Sequence, residues 1–565
     1  MEIDDALESA KSLGNTQIVI LVATVLMNIE TALTMLGNVF LAKNPPYHCS
    51  NHSGFSLNES VPFVEGAYAT CLEYSNPGVS NETRKCSSWE FDTDISGKSI
   101  VSEWSLVCDK DVLPRISQAL VLAGFAFGSI LGGPVADKYG RRPSILLSLV
   151  IFNIVGLSVS FVQNYLTFII LRFMMATIFK AVRIPIMNLL FESLVPRHRP
   201  VAGLIPSSMV SGGLMIMAGI AYLVRDWRYL NAVLMIPTLI IMAFSWFIPE
   251  SVRWLLSQNK QEEAEKTMQQ LASFNNVKDF PSPALSLPAE NTNDVSSSDK
   301  ESNEGSNLRT LLQLFKQPTW TVTAILSFNW VSCGLTYYGF ALSTGSLAGN
   351  FYLNFFISSS ADLLGFLAAT PFIQRFGTTR TLLSAFLSSS GAMLGIIIRY
   401  YALDETSLTS KILLTCLAIF GRFVMSFALL ACILLMSDLF PTTMRNSGTA
   451  IVHLIGNMGS FASPLVLYLN KYFRHFALIV MVCFCLVSAG ISLILPDTVG
   501  TTQPKTPADL QKMFDNNKRN NSKCRENNKG KKVTKPADDI RLTGYVDHSI
   551  GLQARDTTSK TNLFT

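Results

Sequence analysis

The chain is built from long apolar runs separated by short polar connections. Six runs precede the polar stretch 250–316 and six follow it. Each has about 20 residues, the length at which an α-helix crosses roughly 30 Å of hydrocarbon. The pattern predicts an all-α polytopic membrane protein with two six-helix bundles, at 18–249 and 317–496. The runs lie near residues 18–41, 113–136, 144–163, 165–190, 201–223, 230–248, 318–343, 350–373, 382–402, 410–436, 447–469 and 474–495.

Polar segments make up the rest of the chain. Residues 1–17 form a short N-terminal segment, 43–112 a long loop within the first bundle, 250–316 the connection between the bundles, and 497–565 a tail. The tail has too few apolar residues to build a core of its own, which predicts disorder. The stretch 257–272 has the pattern of a short amphipathic helix, which we expect to lie along the inner membrane surface.

Basic residues in the short connections predict the orientation, because Lys and Arg cross the membrane poorly. Most follow even-numbered runs, as Lys138, Arg197 and Arg380 do, whereas Arg225 and Arg228 lie in a connection on the opposite side. We therefore expect a plasma membrane protein with both termini and the connection between the bundles in the cytoplasm. The long loop is then outside.

The chemistry of the long loop supports this placement. The loop holds four cysteines and three Asn-x-Ser/Thr sequences, a combination typical of an oxidising, secretory compartment. Four cysteines allow three pairings, and the sequence leaves all three open. The candidate disulfide residues are Cys49, Cys71, Cys86 and Cys108, and the candidate N-glycosylation sites are Asn51, Asn58 and Asn81.

Composition excludes several classes of function. Only 15% of the residues are charged, against about 25% in a soluble domain. The net charge of +5 is accounted for by 497–565 alone, which contains 13 Lys or Arg and 8 Asp or Glu. The neutral remainder gives no basis for binding nucleic acid. Since the sequence has no metal-ligand spacing, hydrolase motif or phosphate-binding loop, we expect no cofactor and no enzymatic activity. The oligomeric state is not indicated.

Short motifs recur in both bundles in the same order. Two similar six-helix halves, which rock about a binding site at the membrane midplane, are a known transporter plan. The matched motifs are Tyr139-Gly-Arg-Arg with Phe376-Gly-Thr-Thr-Arg, Arg172-Phe173 with Arg422-Phe423, Glu192 and Arg199 with Asp438 and Arg445, and Pro249-Glu-Ser with Pro496-Asp-Thr.

Several motifs resemble a known family. Gly133-x3-Asp137-x2-Gly140-Arg141-Arg142 resembles the loop signature of the major facilitator superfamily, and Pro249-Glu-Ser-Val-Arg-Trp-Leu255 resembles a motif of its sugar-porter and organic-ion branches. Trp330…Tyr337-Tyr338-Gly339, followed by Asn350-x-Tyr352-x-Asn354-Phe355, resembles the organic cation/anion/zwitterion transporter family, and so does Glu103-Trp104-x-Leu-Val-Cys108-Asp109. The resemblance runs from about 14 to 500 and is closest to the organic cation branch.

The resemblance implies that charged residues at cytoplasmic helix ends form ion pairs across the gap between the halves. These pairs would latch the cytoplasmic side shut and break when it opens. The plainer alternative is that the charges only anchor helix ends. Because Gln374 and Thr378-Thr379 replace charged residues, we expect a weaker latch in the second half. The candidate latch residues are Gly133, Asp137, Gly140, Arg141, Arg142, Arg172, Glu192, Arg199, Glu250, Arg253, Arg422, Asp438, Arg445 and Asp497.

Ionisable side chains inside the runs are candidate site residues, because they are costly in a membrane. Glu30 is expected to face the basic pair Lys180 and Arg183, either as a buried salt bridge or in contact with substrate. The resemblance implies that two aromatic residues hold an organic cation and that Asp362 is a cavity carboxylate. Asn457 is neutral where cation carriers tend to have Asp and anion carriers Arg. The candidate cavity residues are Glu30, Lys180, Arg183, Trp330, Tyr337, Asp362 and Asn457.

We therefore expect a carrier of small organic ions that works by alternating access in a lipid membrane. Four cavity charges that sum to zero favour cations or zwitterions. Exchange of organic anions is the first alternative, favoured by Lys180 and Arg183. The second is a transporter-like receptor that binds its ligand without moving it. His453 is the only histidine well inside a run, where a core role is favoured over a proton relay.

Overall fold

Twelve helical spans form the body of the protein, in agreement with the prediction. The computed structural model describes residues 3–51, 55–64, 67–76, 82–93, 97–277, 314, 316–347, 349–404, 407–441, 444–498, 504 and 506–515. Spans 1 to 6 are Asn15–Leu36, Leu113–Tyr139, Arg141–Val159, Tyr165–Glu192, Arg199–Leu223, and Trp227–Leu234 continued by Ile236–Ser245. Spans 7 to 12 are Thr319–Ser343, Phe351–Phe376, Thr378–Ala402, Leu408–Leu439, Arg445–Tyr468 and Phe476–Ser492.

Ten of the described spans are long and apolar enough to cross a membrane by length and composition alone. Span 12 is apolar but has only 17 residues. Span 7 is long enough, but its Trp, Tyr, Ser, Thr and Asn side chains lower its hydropathy. Most of these side chains are buried inside the protein, so the polar character of span 7 is directed at other helices rather than at lipid.

The spans pack as two halves. In the first half span 2 packs on span 4, span 1 on span 5 and span 3 on span 4, while in the second half span 7 packs on span 11 and span 9 on span 10. Small residues allow some of these contacts, since a Cβ at Gly128 would lie 2.2 Å from the carbonyl oxygen of Thr177. The halves meet where span 5 packs on span 8 and span 2 on span 11.

The segment between spans 1 and 2 lies on one side of the bundle, which we term the loop side. It contains β1 (Tyr47–Cys49), β2 (Phe63–Val64), β3 (Ala67–Tyr68), β4 (Leu72–Tyr74), β5 (Thr83–Lys85) and β6 (Trp89–Phe91), and the short helices Leu57–Ser60 and Ile100–Glu103. β1 pairs with β6, β2 with β3 and β4 with β5, all antiparallel.

Disulfides hold this segment together. Of the three pairings that the sequence leaves open, the structure has Cys49 with Cys86 and Cys71 with Cys108. Two of the candidate glycosylation residues, Asn51 and Asn58, are exposed, although the amide oxygen of Asn58 accepts a hydrogen bond from the Tyr68 hydroxyl. The third, Asn81, lies outside the described residues.

On the opposite side, termed the terminal side, three short helices pack together: Ile3–Ser9, Val252–Ser257 and Gln261–Phe274. Gln261–Phe274 is the amphipathic helix predicted at 257–272, and it starts later than predicted. Its apolar face, which includes Met268 and Leu271, is buried in a protein cluster with the N-terminal helix. A helix of 14 residues finds a stable partner for its apolar stripe in this way.

The tail differs from the prediction at its start. Residues 507–515 are helical, and Leu510 and Phe514 are buried in the main hydrophobic core. The prediction missed this helix because the composition was averaged over the whole tail, in which these two apolar side chains are outnumbered by polar ones. The remainder of the predicted disordered tail, 516–565, lies outside the described residues, and so does 278–313 of the connection between the halves.

Candidate functional site

Asp362 of span 8 is fully buried and its two carboxylate oxygens are occupied. One oxygen accepts hydrogen bonds from the hydroxyls of Tyr337 (2.7 Å) and Ser211 (2.8 Å), and the other from Ser426 (2.5 Å). The guanidinium of Arg422 lies 3.8 Å away. Ser211 belongs to span 5, so Asp362 also joins the two halves. These partners leave Asp362 sealed, which differs from the expected cavity carboxylate.

Tyr337 is likewise committed to protein contacts. The guanidinium of Arg422 lies 5.4 Å from the centre of the Tyr337 ring and 5.9 Å from that of Phe355. The electron-rich face that could hold an organic cation therefore already holds a cation of the protein. The expected role of Tyr337 as a cation-binding aromatic residue is not supported by this arrangement.

Glu30 of span 1 is fully buried and does not contact the basic pair. One carboxylate oxygen accepts a hydrogen bond from Thr34 (3.1 Å), and Arg172 of span 4 is the charge that acts on Glu30. The expected contact of Glu30 with Lys180 and Arg183 is wrong for a geometric reason. Asn28 occupies the helix face towards Arg183, and a residue two positions later on a helix points away from that face.

Lys180 and Arg183 keep exposed surface although they lie within a span of 28 residues. Arg183 donates a hydrogen bond to the amide oxygen of Asn28 (2.8 Å), and Lys180 forms no hydrogen bond or ion pair within the described part of the chain. Because Asn28 is neutral, it orients the guanidinium without cancelling its charge. Two basic side chains therefore have no carboxylate partner in the middle of the bundle.

Three side chains of the second half are also partly exposed in the middle of their spans. Trp330 of span 7 packs against the ring of His453, with 4.6 Å between ring centres at an interplanar angle of 90°. Asn457 follows His453 by one helical turn on the same face of span 11. The charges of Lys180 and Arg183 act on His453. The candidate site therefore comprises these three residues and the basic pair of span 4.

Two arginines placed in the latch by the sequence lie elsewhere. Arg172 is near the loop-side start of span 4 and is buried, and Arg422 is buried beside Asp362 in the middle of span 10. The repeat match predicts equivalent positions for the two arginines, but they lie at different depths in their spans, because a motif match gives no depth in the bundle. Both are membrane-embedded charges that the scan for ionisable residues missed, and counting residues from the predicted span ends could have found them.

The remaining latch residues of the first half form a network on the terminal side. Arg141 bonds to Asp137 (2.7 Å) and to Glu192 (3.0 Å), while Arg253 contacts Asp4 and the carbonyl oxygen of Glu192. Three further candidates are also held within the first half or have no close neighbour. Arg142 donates to the Trp246 carbonyl (3.0 Å), Arg199 donates to the Phe191 carbonyl (3.0 Å), and no heavy atom lies within 4 Å of a Cβ built on Gly133.

The ion pairs of Arg141 join spans within the first half, and that of Arg253 joins two short helices on the terminal side, whereas the prediction had these pairs cross the gap between the halves. Asp137 is far more exposed than the other members of these pairs, with 69% of its side chain accessible. In the second half, Asp438 and Arg445 lie partly buried at the ends of spans 10 and 11. The placement leaves Asp137 available for a contact outside its own half.

A carboxylate caps the start of span 3 in one half and of span 9 in the other. Glu250 accepts hydrogen bonds from the backbone N–H groups of Arg141 (3.0 Å) and Arg142 (3.2 Å). Asp497 accepts one from Thr378 (3.0 Å). Each capped helix follows a glycine with positive φ, Gly140 at +103° and Gly377 at +93°. A negative charge at a helix N-terminus is favourable, so the matched motifs have a structural role in both halves.

On the loop side, several contacts join the halves. Asp111 accepts hydrogen bonds from Lys471 (2.5 Å) and from the hydroxyl of Tyr468 (3.0 Å). Lys43 lies 5.0 Å from the centre of the Tyr352 ring, and Phe40 stacks on the same ring. A cavity of about 530 Å³ lies between the halves here and is lined in part by Lys43, Asp111 and Gln118.

The chain is similar to known transporters over most of its length. It is 28% identical to the organic cation transporter-like protein of Drosophila melanogaster, covering 90% of this chain and 92% of that protein. It is also 28% identical to human solute carrier family 22 member 13 (88% and 91%) and 27% identical to organic anion transporter 3 of Sus scrofa (84% and 87%).

Solved structures share its fold. The inward open conformation of the xylose transporter XylE from E. coli superposes with a TM-score of 0.56 at 16% identity, covering 88% of this chain and 98% of that one. Residues 62–509 match the family model described as sugar (and other) transporter. With its twelve spans in two halves, the chain is a transporter that belongs to the sugar (and other) transporter family.

Proposed function

We propose that this transporter carries small organic anions across the plasma membrane by alternating access. The loop side faces outwards and both termini lie in the cytoplasm, as the basic connections favour. Relatives named for organic cations and for organic anions are equally similar to the chain, so the sign of the substrate charge is argued from the site.

One observation supports a negative charge on the substrate. Among the described charges in the middle of the bundle, Lys180 and Arg183 are partly exposed and unpaired with a carboxylate, whereas Asp362 and Glu30 are sealed. A ligand that enters this site meets two positive charges. In a desolvated site, such charges favour an anion and strongly disfavour a cation. This reverses the preference for cations or zwitterions that a zero sum of charges suggested.

The contacts between the halves support alternating access. Asp111 with Lys471 and Lys43 with Tyr352 join the halves on the loop side, and Ser211 with Asp362 joins them in the middle. Breaking the first two pairs would open the site to the loop side. The capped helices of each half would move as rigid bodies during this change.

Uptake of a labelled aliphatic dicarboxylate, compared with uptake of a labelled quaternary amine, tests the proposal. We expect only the dicarboxylate to accumulate in sealed vesicles, which also distinguishes a carrier from a receptor. A charged hydrogen bond is worth about 1.5–3 kcal/mol, so Lys180→Gln and Arg183→Gln should each weaken dicarboxylate affinity about 10-fold or more.

Lys411→Gln is the matched control, because Lys411 is exposed at the loop-side start of span 10, away from the site. It should leave uptake unchanged. Entry of the amine alone would overturn the proposal, as would equal loss of uptake in all three variants.

A further inference from the structure

The loop-side cavity of about 530 Å³ is separate from the candidate site around Lys180 and Arg183, which we term the central site. Its volume lies within the roughly 300–1,000 Å³ that is typical of small-molecule sites. The first half lines the cavity with the loop-side ends of spans 1 and 2, and the second half with those of spans 7, 8 and 11. A small ligand in this cavity would therefore contact both halves.

The cavity carries more positive than negative charge. Its charged lining residues among the described ones are Lys43, Asp111 and Arg115. The carboxylate of Asp111 already accepts a hydrogen bond from Lys471 of the second half. Lys43 contacts the ring and the hydroxyl of Tyr352 and pairs with no carboxylate in the described part of the chain. Its charge is therefore available to a ligand.

Arg115, in the first turn of span 2, is the second available cation. It is exposed, and its guanidinium forms no hydrogen bond or ion pair with any residue that the structure describes. Asp111, four residues earlier, pairs with Lys471 instead. An arginine at a helix end commonly anchors the helix in the lipid head groups. The side chain of Arg115 instead lines the cavity between the halves, where its N–H groups can donate to an anion.

Hydrogen bonds between spans 1 and 2 hold the turn that carries Arg115. Ser117 donates to the amide oxygen of Asn38 (3.2 Å), and Gln118 donates to the backbone carbonyl of Met35 (2.9 Å). Gln118 also lines the cavity, and it shares a helix face with Arg115 because the two are three residues apart. The guanidinium therefore extends from a fixed wall, which lowers the entropic cost of binding a ligand.

The second half gives the cavity a largely apolar wall. Leu342, Phe351 and Leu467 line it there, whereas Lys43 and Arg115 both belong to the first half. Guanidinium and ammonium groups bind carboxylates through charge-assisted hydrogen bonds, and apolar side chains bind hydrocarbon. The ligand that fits this cavity is therefore a small carboxylate with an aliphatic body.

We propose that the loop-side cavity is a second binding site for the transported organic anion, which binds there to Arg115 and Lys43 before it reaches the central site. We term this the loop-side site. Its two cations raise the local concentration of anions at the entrance to the bundle. The inference rests on the proposed anion specificity and adds a binding site outside the middle of the bundle.

Protection of an introduced cysteine tests the loop-side site. Asn44 is exposed and lines the cavity beside Lys43, so Asn44→Cys can be labelled by a membrane-impermeant thiol reagent, with the protein lacking that cysteine as background. The aliphatic dicarboxylate should slow the labelling, and the quaternary amine should not. This protection should persist when Lys180→Gln and Arg183→Gln disable the central site. Arg115→Gln should raise the dicarboxylate concentration that halves the labelling rate about 10-fold or more.

Lys110→Gln is the matched control, because Lys110 is exposed on the same side and does not line the cavity. It should leave the protection unchanged. Protection that is lost in the central-site variants but kept in Arg115→Gln would overturn the loop-side site and leave the anion proposal intact. Equal protection by the amine would also overturn the loop-side site, and so would absence of protection by the dicarboxylate. The uptake assay decides the anion proposal separately.

Binding to the wild-type protein gives a test that requires no variant to fold. Equilibrium binding of the labelled dicarboxylate in detergent solution should saturate at two anions per chain. Saturation at one anion per chain would overturn the loop-side site and leave the anion proposal intact, whereas absence of binding would overturn both.

Discussion

Asp362 owes its sealed position to four partners on three other spans. Hydroxyls of Ser211, Tyr337 and Ser426 surround it, and Arg422 balances its charge. The sequence alone identifies Asp362 as a membrane-embedded carboxylate. It does not indicate that three hydroxyls converge on it, because they come from spans 5, 7 and 10. A single carboxylate can therefore be found from the sequence, whereas its accessibility depends on the packing of the whole bundle.

Asp362→Asn leaves Arg422 buried without its counter-charge. Breaking a buried ion pair costs about 3–5 kcal/mol, so we expect a marked loss of thermal stability in detergent. Ser211→Ala removes one hydrogen bond and should cost only about 1 kcal/mol. Combining Asp362→Asn with Arg422→Gln should recover much of the loss. Wild-type stability of the single Asp362 variant would contradict the assignment.

At the scale of helices, the twelve spans and the repeat follow from the sequence. The apolar run at 318–343 predicts span 7 even though polar residues interrupt it, and most of those polar side chains are buried inside the protein. The repeat predicts equivalent positions for Arg172 and Arg422, but the two lie at different depths in spans 4 and 10, and neither is at the terminal side. Depth depends on where a helix starts, which motif matching does not measure.

Gly377→Ala should destabilise the start of span 9. Gly377 has φ +93°, and a Cβ there would collide with the carboxylate of Asp497. Gly391→Ala is the matched control, because it lies in the same helix with no neighbouring atom within 4 Å, and alanine there should be neutral or stabilising. Melting temperatures of the two variants test this directly. Equal melting temperatures would remove the steric role of Gly377.

Asp137→Asn should reduce transport while the protein still reaches the cell surface. The side chain of Asp137 is largely exposed, so its loss costs little stability. From the end of span 2 it nevertheless holds Arg141 at the start of span 3. Uptake normalised to surface protein measures the effect. Lys138→Gln, also at the end of span 2, serves as the control. Normal transport by Asp137→Asn would exclude a role in the latch.

At the scale of the whole molecule, Asp111 and Lys471 link the two halves on the loop side. Their side chains are 33% and 49% exposed, so the pair is worth about 0.2–1 kcal/mol. Asp111→Asn should therefore shift the protein towards a state open on the loop side by roughly 1.4- to 5-fold.

Labelling of Gln118→Cys, in the loop-side cavity, by a membrane-impermeant thiol reagent measures this shift, with the protein lacking that cysteine as background. Asp109→Asn is the control, because Asp109 pairs with Lys85 inside the same loop. Exchange of the charges, Asp111→Lys with Lys471→Asp, should restore slow labelling. Faster labelling in the Asp109 variant would contradict a gating role for the pair, and so would an unchanged labelling rate in the Asp111 variant.

The paired carboxylate caps carry a consequence for the ancestry of the molecule. Glu250 and Asp497 hold the same helix start in two halves whose adjoining residues differ, Arg141 and Arg142 in one and Thr378 and Thr379 in the other. If one ancestral six-helix unit was duplicated, both copies have kept the carboxylate cap, whereas only the first copy has arginines at the two positions that follow the glycine. A contact that supports the fold is needed in each half separately. A contact that forms and breaks during transport is needed only once in the whole molecule. The carboxylate cap is therefore common to both halves, although the residues beside it differ.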